Sequence, residues 1–149
     1  MAIQRTFAML KPGVLQRRIV GEVIARIEKK GLNIVGLKIM TISPALAASH
    51  YAEHKERSFY GELISYITSG PVVAMAIEGD EAIMLIRKLC GATNVNDSLP
   101  GTIRGDYCMH TGLNIIHASD SPESADREVK LFFKDGEIVS WVDGNKAHY

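Results

Sequence analysis

The 149 residues carry 17 Lys and Arg against 17 Asp and Glu, so there is no global basic field to hold nucleic acid non-specifically. Apolar residues make up 46% and charged residues 23%, the balance of a soluble chain long enough to bury a core as one domain, residues 1–149. No run reaches the roughly eighteen apolar residues of a membrane span, and the opening MAIQRTFAMLKPG lacks a signal-peptide stretch, so a cytoplasmic protein is expected.

In chain order, TFAML (6–10) is a nearly continuous apolar run, suited to a strand covered on both faces and stopped by Lys11-Pro12-Gly13. Val20, Val23, Ile24 and Ile27 come next at i, i+3, i+4 and i+7, one helical stripe, with Lys29 and Lys30 before a capping Gly31. NIVGLKIMTI (33–42) predicts a second strand. Ser43 is placed to cap a helix whose first residue is Pro44, running through ALAASHYAEHK. Tyr60, Leu63, Ile64 and Ile67 mark a further helix that ends at Gly70-Pro71, and VVAMAI (72–77) a third strand. Ile83, Ile86 and Cys90 mark a helix closing near Gly91.

Residues 91–112 show no clear period but recurrent Gly, Pro, Asn, Asp and Thr, the composition of a long functional or interface loop. NIIHA (114–118) predicts a fourth strand, and Ser121 with Pro122 opens a last helix with Ala125, Val129 and Phe132 or Phe133 toward the core. The order β-α-β-(helices)-β-α-β predicts an α+β, ferredoxin-like βαββαβ sandwich. It would have a four-stranded antiparallel sheet with helices on one face, an extra helical hairpin and a long loop. That fold alone implies no function.

Cys90 and Cys108 show neither C-x-x-C nor metal-ligand spacing and read as free thiols. No G-x-x-x-x-G-K-[ST] loop and no kinase-type glycine loop is present. Phosphates, if handled, must be held by side chains, for which Lys11, Arg57, Arg87, Thr93 and Arg104 are candidates; singly, each reads first as a solvated surface cation or a turn residue. Arg104 lies in PGTIRGD, where flanking glycines let the chain approach a ligand closely. His117 is the one histidine ending an apolar strand, whereas His50, His54, His110 and His148 lie in polar surroundings with no partner evident from spacing. It could be a core histidine satisfied by a carboxylate. With Ser119 and Asp120 close behind and Glu128 on the next helix, it could also be a nucleophile. A carboxylate on one ring nitrogen fixes the tautomer and frees the other.

NIIHASDS beside TIRGDY, TSGPVVAM and TFAMLKP closely resembles the nucleoside diphosphate kinases, from about residue 3 to 133. The resemblance implies ping-pong transfer of a γ-phosphoryl group from a nucleoside triphosphate to a nucleoside diphosphate, with His117 carrying the group. It implies that Lys11, Tyr51, Arg87, Thr93, Arg104 and Asn114 hold phosphates and ribose, and that Phe59 stacks on the base. Glu128 would orient the imidazole with Ser119 beside it, and Asp120 would lie near a Mg²⁺ that bridges the phosphates. A homo-oligomer, tetramer or hexamer built from dimers, is implied, and neither membrane nor nucleic acid is required.

Five positions depart from the family pattern. Gly13 and Val14 follow Lys11-Pro12, where a rearranged turn is expected to keep Lys11 in place. Val95 stands where a proline is usual, Thr111 where Val is common, and Leu113 where polar residues are frequent. A catalytically silent nucleotide-binding or interaction subunit is the alternative, but it would be expected to lack His117 or a phosphate-binding cation. An RNA-binding sheet would need an aromatic R/K-G-F-[GA]-F-type run, which is absent.

Overall fold

The computed structural model describes residues 3–149. Four strands, β1 (Ile3–Leu10), β2 (Asn33–Met40), β3 (Val72–Asp80) and β4 (Ile116–Ala118), form one sheet in the order β2-β3-β1-β4. Every neighbouring pair is antiparallel, with Phe7 opposite Ala76 and Met9 opposite His117. This is the ferredoxin-like order expected from the chain. Its helices are α1 (Val20–Lys29), α2 (Pro44–His50), α3 (Tyr60–Ile67), α4 (Ala82–Cys90), α5 (Ile103–Tyr107) and α6 (Pro122–Phe132).

The expectation of helices on one face holds only for α1 and α4. Ala8 and Leu10 of β1, with Val73, Met75 and Ile77 of β3, pack against Val23 and Ile27 of α1 and Ile86 and Cys90 of α4. Phe7, Met9, Val72, Ala74 and Ala76 point the other way, onto Ala47 of α2, Ile67 of α3 and Val129 and Phe132 of α6. Strand residues alternate between faces, so two covered faces explain why β1 and β3 read as unbroken apolar runs. The extra helical hairpin and the last helix supply the second layer.

Local signals set the ends. The Ser43 and Ser121 hydroxyls accept from the amides of Leu46 and Ser124, both at 3.1 Å, ahead of Pro44 and Pro122. The loop from 91 holds a helix that periodicity did not reveal: α5 has only five residues and is capped by Thr102, whose hydroxyl accepts from Gly105 at 3.0 Å. Gly105 is required there, because a β-carbon would collide with the Leu99 carbonyl. After α6 the tail returns along β2, with the Val139 amide donating to the Val35 carbonyl at 2.8 Å and the Trp141 indole to that of Ile34 at 3.0 Å. No helix among the described residues is long and apolar enough to cross a membrane.

Candidate active site

The last residue of β1, Leu10, pairs with the first of β4, Ile116, so Lys11 leaves the sheet where His117 enters it. This junction forms one wall of a cavity of about 380 Å³. Lys11, Tyr51, Phe59, Arg87, Thr93, Arg104, Asn114, His117, Asp120 and Glu128 all line it. A wider depression of about 650 Å³ shares Arg87 and Asp120, but no histidine or cysteine among the described residues lines it. Ser119 does not line the cavity; it is buried behind Glu128. Arg57 does not line it either, its guanidinium lying 6.0 Å from the centre of the Phe59 ring. Arg57 is therefore not placed as a phosphate ligand.

At the centre, His117 Nε2 lies 2.9 Å from both oxygens of Glu128. The Ser119 hydroxyl donates to Glu128 Oε1 at 2.6 Å. Burial pushes the Glu128 carboxyl up, but the hydrogen bonds from His117 and Ser119 and the neighbouring imidazoles together hold it below the usual carboxylate range. An ionised Glu128 accepts only, so Nε2 carries the proton and the lone pair stays on Nδ1. The imidazole is thus fixed by a short paired strand and a carboxylate on a packed helix. Such an arrangement suits a nucleophile with an orienting group.

The cations are held as firmly. Lys11 donates from Nζ to Asn114 Oδ1 at 2.7 Å, and its amide donates to the Ile115 carbonyl at 2.8 Å. Arg104 reaches the carbonyls of Gly91 at 2.9 Å and Ile116 at 2.6 Å, while Arg87 reaches that of Ala118 at 3.2 Å. Burial first, and then the Arg104 charge, lower the Lys11 ammonium to about 8; burial also lowers Arg104. Buried cations crowded in this way, with Arg104 acting on Lys11 and Arg87 on Arg104, make a site that favours an anion. Phe59, 40% exposed at the rim, offers a ring face without a base-reading polar atom.

Two backbone features place these groups. Gly13 adopts φ +100°, and Val14 after it is buried, so the Lys11-Pro12-Gly13-Val14 turn closes through a conformation that suits glycine. Ile115 has φ +58°, which is costly for a β-branched residue, immediately between Asn114 and the strand that carries His117. Two departures from the family pattern also meet: the Val95 amide, which a proline would lack, donates to the Thr111 hydroxyl at 3.0 Å.

His50 is the residue that the sequence reading missed. It is not in polar surroundings; its side chain is 1% exposed, edge-on to His117 with ring centres 4.6 Å apart. Its position in a short helix showed no stripe that would mark it as inward. His50, His117 and Glu128 offer three ligand atoms within 4.8 Å of one another. Two imidazoles and one carboxylate suit a transition metal better than Mg²⁺, which demands oxygens. Glu128 is moreover already engaged by Ser119 and His117.

A ferredoxin-like sheet that presents one oriented imidazole to a cation-lined cavity is the framework of a phosphate-transferring protein. Residues 4–138 match the family model described as nucleoside diphosphate kinase. A nucleoside diphosphate kinase of Treponema pallidum is 57% identical over 145 residues, 97% of each chain. One from Archaeoglobus fulgidus is 56% identical over 139 residues, covering 93% of this chain and 92% of that protein. Among solved structures, a halophilic nucleoside diphosphate kinase from Halobacterium salinarum in complex with CDP is 48% identical, with TM-score 0.95, covering 99% of this chain and 98% of that one. The Aquifex aeolicus enzyme is 38% identical, with TM-score 0.90, over 93% of this chain and 100% of that one. The chain belongs to the nucleoside diphosphate kinase family. It is a nucleotide phosphotransferase.

Proposed function

We propose that residues 1–149 act as one domain that moves a γ-phosphoryl group from a nucleoside triphosphate to a nucleoside diphosphate in two half-reactions through His117. The carrying observation is the clamp of Glu128 on Nε2 at 2.9 Å inside a cavity walled by Lys11, Arg87 and Arg104. In the first half-reaction Nδ1 attacks the γ-phosphorus, an N–P bond forms and the bond to the β-bridging oxygen breaks, so the nucleoside diphosphate leaves with that electron pair. In the second, the terminal phosphate oxygen of another diphosphate attacks, the N–P bond breaks and its pair returns to Nδ1. No proton needs to be removed from Nε2 at either step, which suits a carboxylate that keeps it there.

Lys11, Arg87 and Arg104 neutralise the phosphate oxygens as charge shifts between them. Thr93 and Asn114 add hydrogen bonds to phosphate and ribose, and Tyr51 packs beside them. Phe59 stacks on the base without reading its edge, so the common bases are all accepted. Mg²⁺, if bound, would add to the neutralisation of the phosphate charge. The exposed Asp120 at the cavity rim fits it, because Mg²⁺ keeps most of its waters and needs only one or two carboxylates besides the phosphates. The CDP-bound halobacterial relative supports a nucleoside diphosphate as substrate.

The test mixes the protein with Mg²⁺ and γ-labelled ATP, quenches, and then adds unlabelled GDP. Base-stable, acid-labile label that is chased into GTP is expected, with none in His117→Ala. ATP binding without label in the unmodified protein would overturn the proposal in favour of a catalytically silent nucleotide-binding subunit.

A further inference from the structure

His50 carries an unexplained cost. Both of its ring nitrogens are buried with no hydrogen-bond partner among the described residues, an arrangement that ordinarily destabilises a fold. A phenylalanine would fill the same space at no such cost, since the surroundings are aromatic: Phe132 lies 5.2 Å away, Phe7 6.4 Å and Tyr51 4.6 Å between ring centres. The nitrogens are not aimed at random. Nδ1 stands 3.7 Å from Glu128 Oε2, the oxygen that Ser119 does not use. The His50 backbone is tied to the same helix, its carbonyl accepting from Arg127 Nη2 at 3.4 Å.

We propose that His50 is a positioning residue, whose ring donates from Nδ1 toward Glu128 Oε2 and so fixes the rotation of the carboxylate that orients His117. Ser119 restrains one oxygen of Glu128 and His50 the other, and the plane of the carboxylate is then set from both sides. At 3.7 Å the contact is longer than a hydrogen bond; contacts of this kind at catalytic groups shorten when substrate completes the cavity. Burial, and then the neighbouring His117, lower the His50 imidazole to about 3. The ring is therefore neutral and restrains Glu128 without adding a cation that would compete with His117 for it. The kinetic part of this inference rests on the proposed function.

Three variants separate a nitrogen's role from packing. Asparagine's amide nitrogen falls near the position of Nδ1, glutamine's near Nε2, and phenylalanine keeps the ring but no donor. We expect His50→Phe to slow labelling of His117 roughly ten- to a hundredfold with little change in KM, His50→Asn to recover most of that rate, and His50→Gln to recover less. Nitrogen NMR with a nucleoside diphosphate bound should find His117 protonated at Nε2, and a mixture of tautomers in His50→Phe. Should His50→Phe keep both rate and tautomer while His50→Asn loses them, the ring acts by packing alone and the proposal is overturned. If His50→Phe does not fold, the Asn and Gln pair decides by the same two readouts. If the unmodified protein takes no label, the proposed function fails, whereas the tautomer comparison still tests His50.

Discussion

Lys11 combines a buried ammonium with a neighbouring guanidinium, and its pKa of about 8 has a measurable consequence. Between that value and the ordinary 10.5 the unfolded chain binds a proton that the folded chain does not, so this residue makes stability rise with pH through that window. Denaturant unfolding at pH 8 and pH 10 should resolve the rise, and Lys11→Met should flatten it. Under the proposed function, bound nucleotide phosphates restore the charge and flatten it as well. Glu128→Gln keeps the shape of the carboxylate but removes the charge that fixes the proton on His117; phosphoryl transfer should fall at least tenfold while nucleotide affinity is preserved. At this scale the sequence carried much of the site. His117, Glu128 and Ser119 stand together as their spacing and the family resemblance implied. His50 was opaque because nothing local distinguishes a histidine facing the core from one facing water; only packing of α2 against α6 decides it.

Elements were legible in proportion to their length and punctuation. α1 and α6 carry helical stripes, α1 closing before Gly31 and α6 opening on Ser121 and Pro122, and Ser121→Ala should cost about 1 kcal/mol by orphaning the Ser124 amide. A fall in Tm of roughly 2–4 °C would register it. α5 was invisible because five residues are too few for a period, and its stability comes from Thr102 and from the space that Gly105 leaves beside Leu99. The loop that leads into it contains Thr93 and is tied to the turn before β4 by Val95 and Thr111. Thr111→Val should leave the fold intact and raise KM for nucleotide a few-fold by loosening Thr93, with Thr111→Ser restoring it. Equal KM in the two variants would mean that this hydrogen bond does not govern the loop.

The two-faced sheet binds the site to the stability of the whole molecule, since α2 and α6 bring His50 and Glu128 against one core. His50 is held neutral down to about pH 3 when folded, against 6.5 when unfolded, so the unfolded chain gains a proton first as pH falls. The lowered Glu128 acts in the same direction. Stability should decline from about pH 6.5 toward 3, by an amount on the order of a few kcal/mol, and less steeply in His50→Gln. The unbroken apolar runs of β1 and β3 showed in the sequence that both strand faces are covered, but not which helices form the second layer, because an apolar run looks the same whichever helices cover it. At the sheet edge, Leu37 and Ile39 of β2 are 52% and 66% exposed; light scattering would distinguish the tetramer or hexamer that the family resemblance implies from a monomer.

The tail's return along that edge has a practical consequence. Trp141 is the chain's single tryptophan, and its indole is fastened to Ile34 rather than placed near His117. Tryptophan emission, excited at a wavelength that the five tyrosines do not absorb, is therefore a private signal of the tail. It should hold steady through a nucleotide titration and shift to the red only when residues beyond 138 peel away from the sheet, which makes the detachment of one segment visible without attaching any dye.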